Sequence, residues 1–233
     1  MIHASRFATA VIVSITVFIV GCSNQTQKNL NESQKFADHA GNGVVVGSVT
    51  APFNRHYHET VLFEYRSLGD DGKHSGVLTS GTQHGNPLID IPTCTEADIP
   101  SQCGRLFAVS LPAGDYEIYQ AYALGQSLGA LGMPPMRFTV TKGNTIYLGN
   151  LQVSFCLGMR TSFRGDILGA NIKVRDAWNR DVPLIRKRFN ALIQVPIEKQ
   201  LLQDLAWQMR VQYEPFDWKE CKPSPAIASE PMQ

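Results

Sequence analysis

RLFAVSLPAGDYEIYQAYAL, residues Arg105 to Leu124, decides the fold class. Leu106, Ala108 and Ser110 fall on one side of an extended chain, Phe107, Val109 and Leu111 on the other. After the break, Tyr116 and Ile118 alternate with Asp115 and Glu117. A period of two is the signature of a strand, not of a helix. Between the runs stands Pro112-Ala113-Gly114. Proline presets φ at the start of a turn, and glycine supplies φ > 0 at its end. The stretch therefore predicts two strands joined as a hairpin.

The pattern continues on both sides. RFTVT (137–141) and TIYLGNLQVSF (145–155) flank Lys142-Gly143-Asn144 and predict a second hairpin. GMRTSFRG (158–165) and ANIKVRD (170–176) suggest a third, turning around Asp166–Gly169. Toward the N-terminus, GVVVGSVT (43–50) and TVLFEYRS (60–67) read as strands. GDDGKHSG (69–76) is turn chemistry, VLTSG (77–81) a short strand, and His84–Gly104 a long polar loop. The composition agrees, being rich in Gly, Pro, Val, Ile, Thr, Tyr and Phe. The expected fold is mainly β: an Ig/prealbumin-like antiparallel β-sandwich with a short C-terminal α-helical extension.

After Asp176 the period changes. Asp181 followed by Pro183 predicts a helix start, and Leu184, Phe189 and Leu192 fall at near-helical spacing. Beyond Pro196, residues Ile197, Leu201, Leu205 and Met209 lie four apart and predict a second helix. The expected organisation is a leader over 1–21, a tether over 22–42 and the sandwich over 43–176. A helical extension over 177–221 and a disordered tail over 222–233 complete it.

LPAGDYEIY (111–119) resembles the L-x-x-G-x-Y-x-L signature of prealbumin-like, carboxypeptidase-regulatory-like β-sandwiches. FTVTKGNTIYLGNL (138–151) is similar to the strand–turn–strand that follows it in small bacterial lipoproteins of that type. The resemblance covers about Gly43 to Asp176. It implies a non-catalytic binding, spacing or structural module.

The N-terminus carries an address. Arg6 precedes an apolar run, FATAVIVSITVFIV (7–20), which is followed by Gly21 and Cys22. The run is the length of a secretory h-region and shorter than the roughly 20 residues of a membrane span. An uncleaved anchor is the competing reading. Ile19-Val20-Gly21-Cys22 resembles the lipobox of bacterial lipoproteins. That resemblance implies leader removal, acylation of Cys22 and attachment to membrane lipid. Ser23 in place of Asp favours the outer membrane, facing the periplasm, in a Gram-negative host. The next residues, SNQTQKNLNESQKFADHAGN (23–42), are polar, and a flexible chain of that length spans about 25 Å end to end.

Composition excludes one partner class. Removing residues 1–21 leaves 20 basic against 20 acidic side chains, so non-specific nucleic-acid binding is not expected. Cys94, Cys103, Cys156 and Cys221 remain after Cys22, an even number that suits two disulfides in an exported chain. Three pairings are possible. Cys94–Cys103, closing a short loop, and Cys156–Cys221, tying the C-terminal segment to the sheet, are favoured. Metal binding by these cysteines is disfavoured, since no C-x-x-C pair occurs.

Residues with chemical potential are few. His56 and His58 flank Tyr57, and in an extended chain both would point to one face and could share a metal, with His74 or His84 as a third ligand. Exposed loop histidines explain them as well, and no metal or other cofactor is assigned. The segment LGQSLGALGMPPM (124–136) carries Gly125, Gly129 and Gly132 but no G-K-[ST], so it is no phosphate loop. Its apolar residues Leu124, Leu128, Leu131, Met133 and Met136 read as a cap over the core, as a surface that docks another envelope protein or touches lipid, or as a Met-rich soft-metal site. Arg186-Lys187-Arg188 reads as a solvated helix face or a contact with anionic lipid or wall polymer. Asp70 and Asp71 read as turn residues or calcium ligands. With no H-E-x-x-H, and no Cys–His nucleophile once the cysteines are paired, the chain is not expected to be an enzyme. A hydrolase with unidentified residues and a metal- or small-ligand module using His56 and His58 are the alternatives.

Overall fold

The computed structural model describes residues 41–51, 60–85, 92–95, 97–123, 128–129, 133–161 and 164–211. The protein is mainly β, with a β-sandwich arrangement and, among the described residues, one α-helix. The strands are β1 (Asn42–Thr50), β2 (Val61–Ser67), β3 (Ser75–Thr79), β4 (Thr82–Gly85), β5 (Pro92–Thr95), β6 (Arg105–Pro112), β7 (Gly114–Ala123), β8 (Leu128–Gly129), β9 (Met136–Val140), β10 (Thr145–Thr161), β11 (Arg164–Arg175), β12 (Ile197–Lys199) and β13 (Trp207–Val211). The helix is α1 (Trp178–Arg188).

One layer runs β3-β2-β7, with β9 on the far side of β7; the other runs β13-β11-β10-β1-β6. The two-residue strand β8 stitches β7 to β13 and so joins the layers into one hydrogen-bonded sheet. Phe63, Ile118 and Phe138 from the first layer meet Val45, Val49, Val153 and Phe155 from the second in a single buried cluster. A second cluster lies on the outer side of β1, β6 and β10. There Val44, Val46, Leu106, Ala108 and Tyr147 pack under Ile185, Phe189 and Leu192. β1 is therefore buried on both faces, pairing antiparallel with β6 and parallel with β10.

None of the three hairpins forms where the sequence places it. β6 pairs with β1, whereas β7 pairs with β2 and β9, so Pro112–Gly114 carries the chain from one layer to the other. The same holds at Lys142–Gly143, where β9 belongs to the first layer and β10 to the second. Gly143 holds φ at +77°, a left-handed conformation that favours glycine, and its N–H donates to Asn42 O at 2.8 Å. Turn chemistry identifies where a chain reverses, not which strand it pairs with afterwards. β10 and β11 do form an antiparallel pair, but they reverse between Thr161 and Arg164, not at Asp166–Gly169.

The second C-terminal helix is also absent. Residues after Pro196 are extended: β12 pairs with β10, Gln200 N–H donates to Tyr147 O, and Leu202 N–H donates to Leu148 O, both at 3.0 Å. Trp207 and Met209 are fully buried on one face of β13. Their period is two, and the four-residue spacing satisfies both readings. Pairing to the sheet overrides the helical pattern. The predicted sandwich boundary at 176 thus leaves out two strands that belong to it.

α1 begins at Trp178, before the predicted start. Asp176 Oδ1 accepts from Trp178 N–H at 3.1 Å, while Asp181 turns inward instead of capping. Asp181 is 0 % exposed. Its Oδ2 accepts from Ser48 Oγ at 2.6 Å and from Tyr147 OH at 2.8 Å, and its Oδ1 accepts from Arg180 Nε at 2.8 Å. A buried carboxylate held by donors on β1, β10 and its own helix fixes α1 to the sheet. Removing one partner of a buried pair costs about 3–5 kcal/mol, because the other charge stays buried unpaired. Asp181→Ala is therefore expected to lower stability by about that amount. Chemical denaturation checks it, and an unchanged midpoint would show that the carboxylate does not hold the helix.

Candidate functional site

The residues of greatest interest gather on two surfaces. The first is the helix-covered face of β1, β6 and β10. Below it, Asn150 Nδ2 donates to Ser48 Oγ at 2.8 Å, and Thr50 Oγ1 donates to Asn150 Oδ1 at 3.1 Å. Arg180 reaches Gln102 Oε1 through Nη1 at 2.8 Å and Ser48 Oγ through Nη2 at 3.3 Å. Every buried polar group named here has a partner, so the cluster is closed and serves positioning. Tyr147 has its hydroxyl pKa pushed up by burial and then by the neighbouring Asp181 charge. Its ring meets Trp178 edge-on at 5.3 Å.

Beside this cluster a cleft of about 340 Å³ opens between the end of α1 and β6. Leu106 and Leu184 line it together with Asp98, Lys187, Arg188 and Asn190. Arg188 Nε lies 3.4 Å from Asp98 Oδ1, and Asp98 Oδ2 accepts from Leu106 N–H at 2.9 Å. Arg186, Lys187 and Arg188 fill the last turn, where positive charge complements the helix dipole. All three are exposed.

The second surface is the outer face of β2, β7 and β9. Glu117 is buried there, and its Oε1 accepts from Arg66 Nε at 2.9 Å and Nη2 at 2.7 Å. Arg137 Nε lies 3.7 Å from Glu117 Oε2. Arg66 also stacks over Tyr119 at 4.4 Å, and Tyr119 OH donates to Glu64 Oε2 at 2.7 Å. These are cross-strand pairs of the kind that stabilise sheets.

The residues singled out in the sequence are distributed as follows. Cys94 and Cys103 form a disulfide that ties the β4–β5 ribbon to the turn before β6. Cys156 is also disulfide-bonded. Cys22, Cys221, His56, His58, Leu124 and Leu131 lie outside the described residues. Leu128 sits in β8, opposite Val211. Met133 is half-buried against the inner core, and Met136 is buried within it. At Met133 and Met136 the apolar segment joins the core. Asp70 accepts from Ser67 Oγ, and Asp70 Oδ2 lies 3.4 Å from His74 Nε2. Asp71 takes a left-handed φ of 56°. The pair thus builds the turn between β2 and β3. No group of three His, Cys, Asp or Glu side chains placed to hold a metal occurs among the described residues. No helix among them is long and apolar enough to cross a membrane.

Sequence reasoning missed the Ser48–Asn150–Asp181 cluster. Its signal is present: Val44, Val46, Ser48 and Thr50 share one face of β1, and that face turns from apolar to polar halfway along. The fold and these surfaces define a sandwich-like, mainly β domain with the helix α1 clamped to one layer. No family model, curated protein or solved structure matches the chain.

Tyrosines report the packing of the inner core and of the outer face of β7. Tyr116 is pushed up to about 12 from 10.0 by burial and then by the Asp70 charge. Tyr119 is pushed up to about 12 by burial and then by its hydrogen bond to Glu64. A raised phenol pKa means that the folded state favours the neutral form. The stabilisation is present in full below pH 10 and is lost as pH rises through about 12. Denaturation midpoints measured from neutral to strongly alkaline pH are expected to hold until about 10 and then fall. In parallel, ultraviolet titration should show phenolate appearing late, whereas normal titration near pH 10 in the folded protein would contradict the packing.

Proposed function

We propose that this protein is a lipid-anchored module of the bacterial cell envelope, attached through Cys22 and facing the periplasm, which binds or spaces another envelope component without catalysis. The observation that carries the proposal is Cys22, placed directly after an apolar run and Gly21. Support comes from the chain that follows. Some twenty polar residues lead from Cys22 into β1, the strand buried on both faces. A load on the tether would thus reach the centre of the domain, not a peripheral strand. The disulfide Cys94–Cys103 suits an oxidising compartment. Two or more acyl chains would hold the protein firmly, at about 0.8 kcal/mol per buried CH₂.

Mass spectrometry of the N-terminal peptide tests the anchor. The expected peptide begins at Cys22 and carries a diacylglyceryl group, with a further acyl chain on its amine. Cys22→Ser should abolish incorporation of a tagged fatty acid. A mature N-terminus elsewhere, or an unmodified Cys22, would refute the proposal.

A further inference from the structure

The stretch VPLIRKRFNALIQVPI, residues 182–197, contains three cations and no acidic residue. Its buried side chains, Val182, Ile185, Phe189 and Leu192, face the sheet. Its exposed side carries Arg186, Lys187, Asn190, Ile193 and Gln194. Ile193 is 53 % exposed and one of three large apolar side chains exposed among the described residues. Among the described residues, the ion pairs of this region use Arg180 and Arg188, not Arg186 or Lys187. A cationic helix end with an exposed aliphatic side chain beside it is the composition of a surface that rests on lipid: cations reach headgroup phosphates while the apolar group enters the interface.

The chain outside the described fold gives the second reason. Residues before Gly41 join the domain at β1, and α1 packs on that same strand. We infer that the exposed face of α1 and the turn after it, centred on Arg186, Lys187 and Ile193, dock the domain onto an anionic lipid surface and set its orientation there. This inference rests on the anchoring reading above. Each cation near an anionic surface shifts binding by about fivefold, so two give about 30-fold. That is too little to hold a free protein. It is enough to orient a domain already tethered within about 25 Å, where the effective concentration of the surface is on the order of millimolar or higher.

The test uses the full lipidated chain reconstituted into vesicles of phosphatidylcholine alone or mixed with phosphatidylglycerol. An environment-sensitive fluorophore on Ile193→Cys is expected to shift to the blue only in the mixed vesicles. The shift should vanish in high salt. The partition should weaken about 30-fold in Arg186→Gln/Lys187→Gln, and it should return when Lys stands at position 186 and the native residue at 187. Thermal melts of each variant confirm that the fold is intact. Identical emission in both vesicle types, or no change on removing the cations, overturns the inference. So does a result in which the same cations are needed for sedimentation with purified peptidoglycan and not for the shift. Vesicle flotation in phosphatidylcholine alone reports the anchor separately. If the chain fails to float there, the anchoring reading fails and the docking inference that rests on it falls too; flotation without a cation-dependent shift overturns the docking inference alone.

Discussion

Val44 and Val46 point to one side of β1, Val45 and Val49 to the other, and all four are shielded from water. A strand in this situation needs cover twice. The opposing layer supplies it on the inner side through Phe63, Ile118 and Phe138, and α1 supplies it on the outer side through Ile185, Phe189 and Leu192. The helix is thus one of three layers, not an appendage. Its seat includes a polar clamp because β1 becomes polar at Ser48 and Thr50, and burying those hydroxyls without partners would be costly. Asp181, Asn150 and Arg180 answer that need from two other elements.

The C-terminal segment follows the same logic. Without β12 and β13 the far edge of β10 and β11 would present open backbone groups. Gln200 and Leu202 use the carbonyls of Tyr147 and Leu148, and Trp207 fills the inner core while its Nε1–H donates to Pro134 O at 2.8 Å. One tryptophan thereby touches the apolar segment that leads into β9 and closes the side where β8 bridges the layers. The two surfaces described above, one cationic and one made of cross-strand Arg–Glu–Tyr contacts, lie on opposite outer faces of this arrangement.

Much of this was legible in the residues. Period-two alternation around Tyr116 and Ile118 identified the strands, and the mainly β class followed. Pairing was not legible, because a turn such as Pro112-Ala113-Gly114 serves equally for a hairpin and for a passage between layers. The helix was visible in the change of period after Asp176, but its start was misplaced because Asp181 looks like a cap, and Phe189 and Leu192 lie beyond its end. Only the tertiary fold, which brings Ser48 and Tyr147 beneath it, turns that carboxylate inward. Ile197, Leu201, Leu205 and Met209 satisfied a helical spacing, yet Ile197 packs on the outer cluster, Leu201 is exposed and Met209 is buried in the inner core. The cation-bearing turn at Arg186–Arg188 was visible as composition; that its neighbours Ile185 and Phe189 are buried, leaving the charges outward, required the structure.

The parallel pairing of β1 with β10 sets an order of events. Thr50 and Asn150 are 100 residues apart in the chain, and Ser48 and Asp181 are 133 apart. The strand made earliest therefore has no neighbour on its β10 side, and no helix above it, until most of the polypeptide has been synthesised. Contacts of such long separation slow folding, since closing the intervening loop precedes any gain. β1 can pair with β6 once residue 112 has been made, but its other edge and its outer face are covered only after Asn150 and Asp181 have followed.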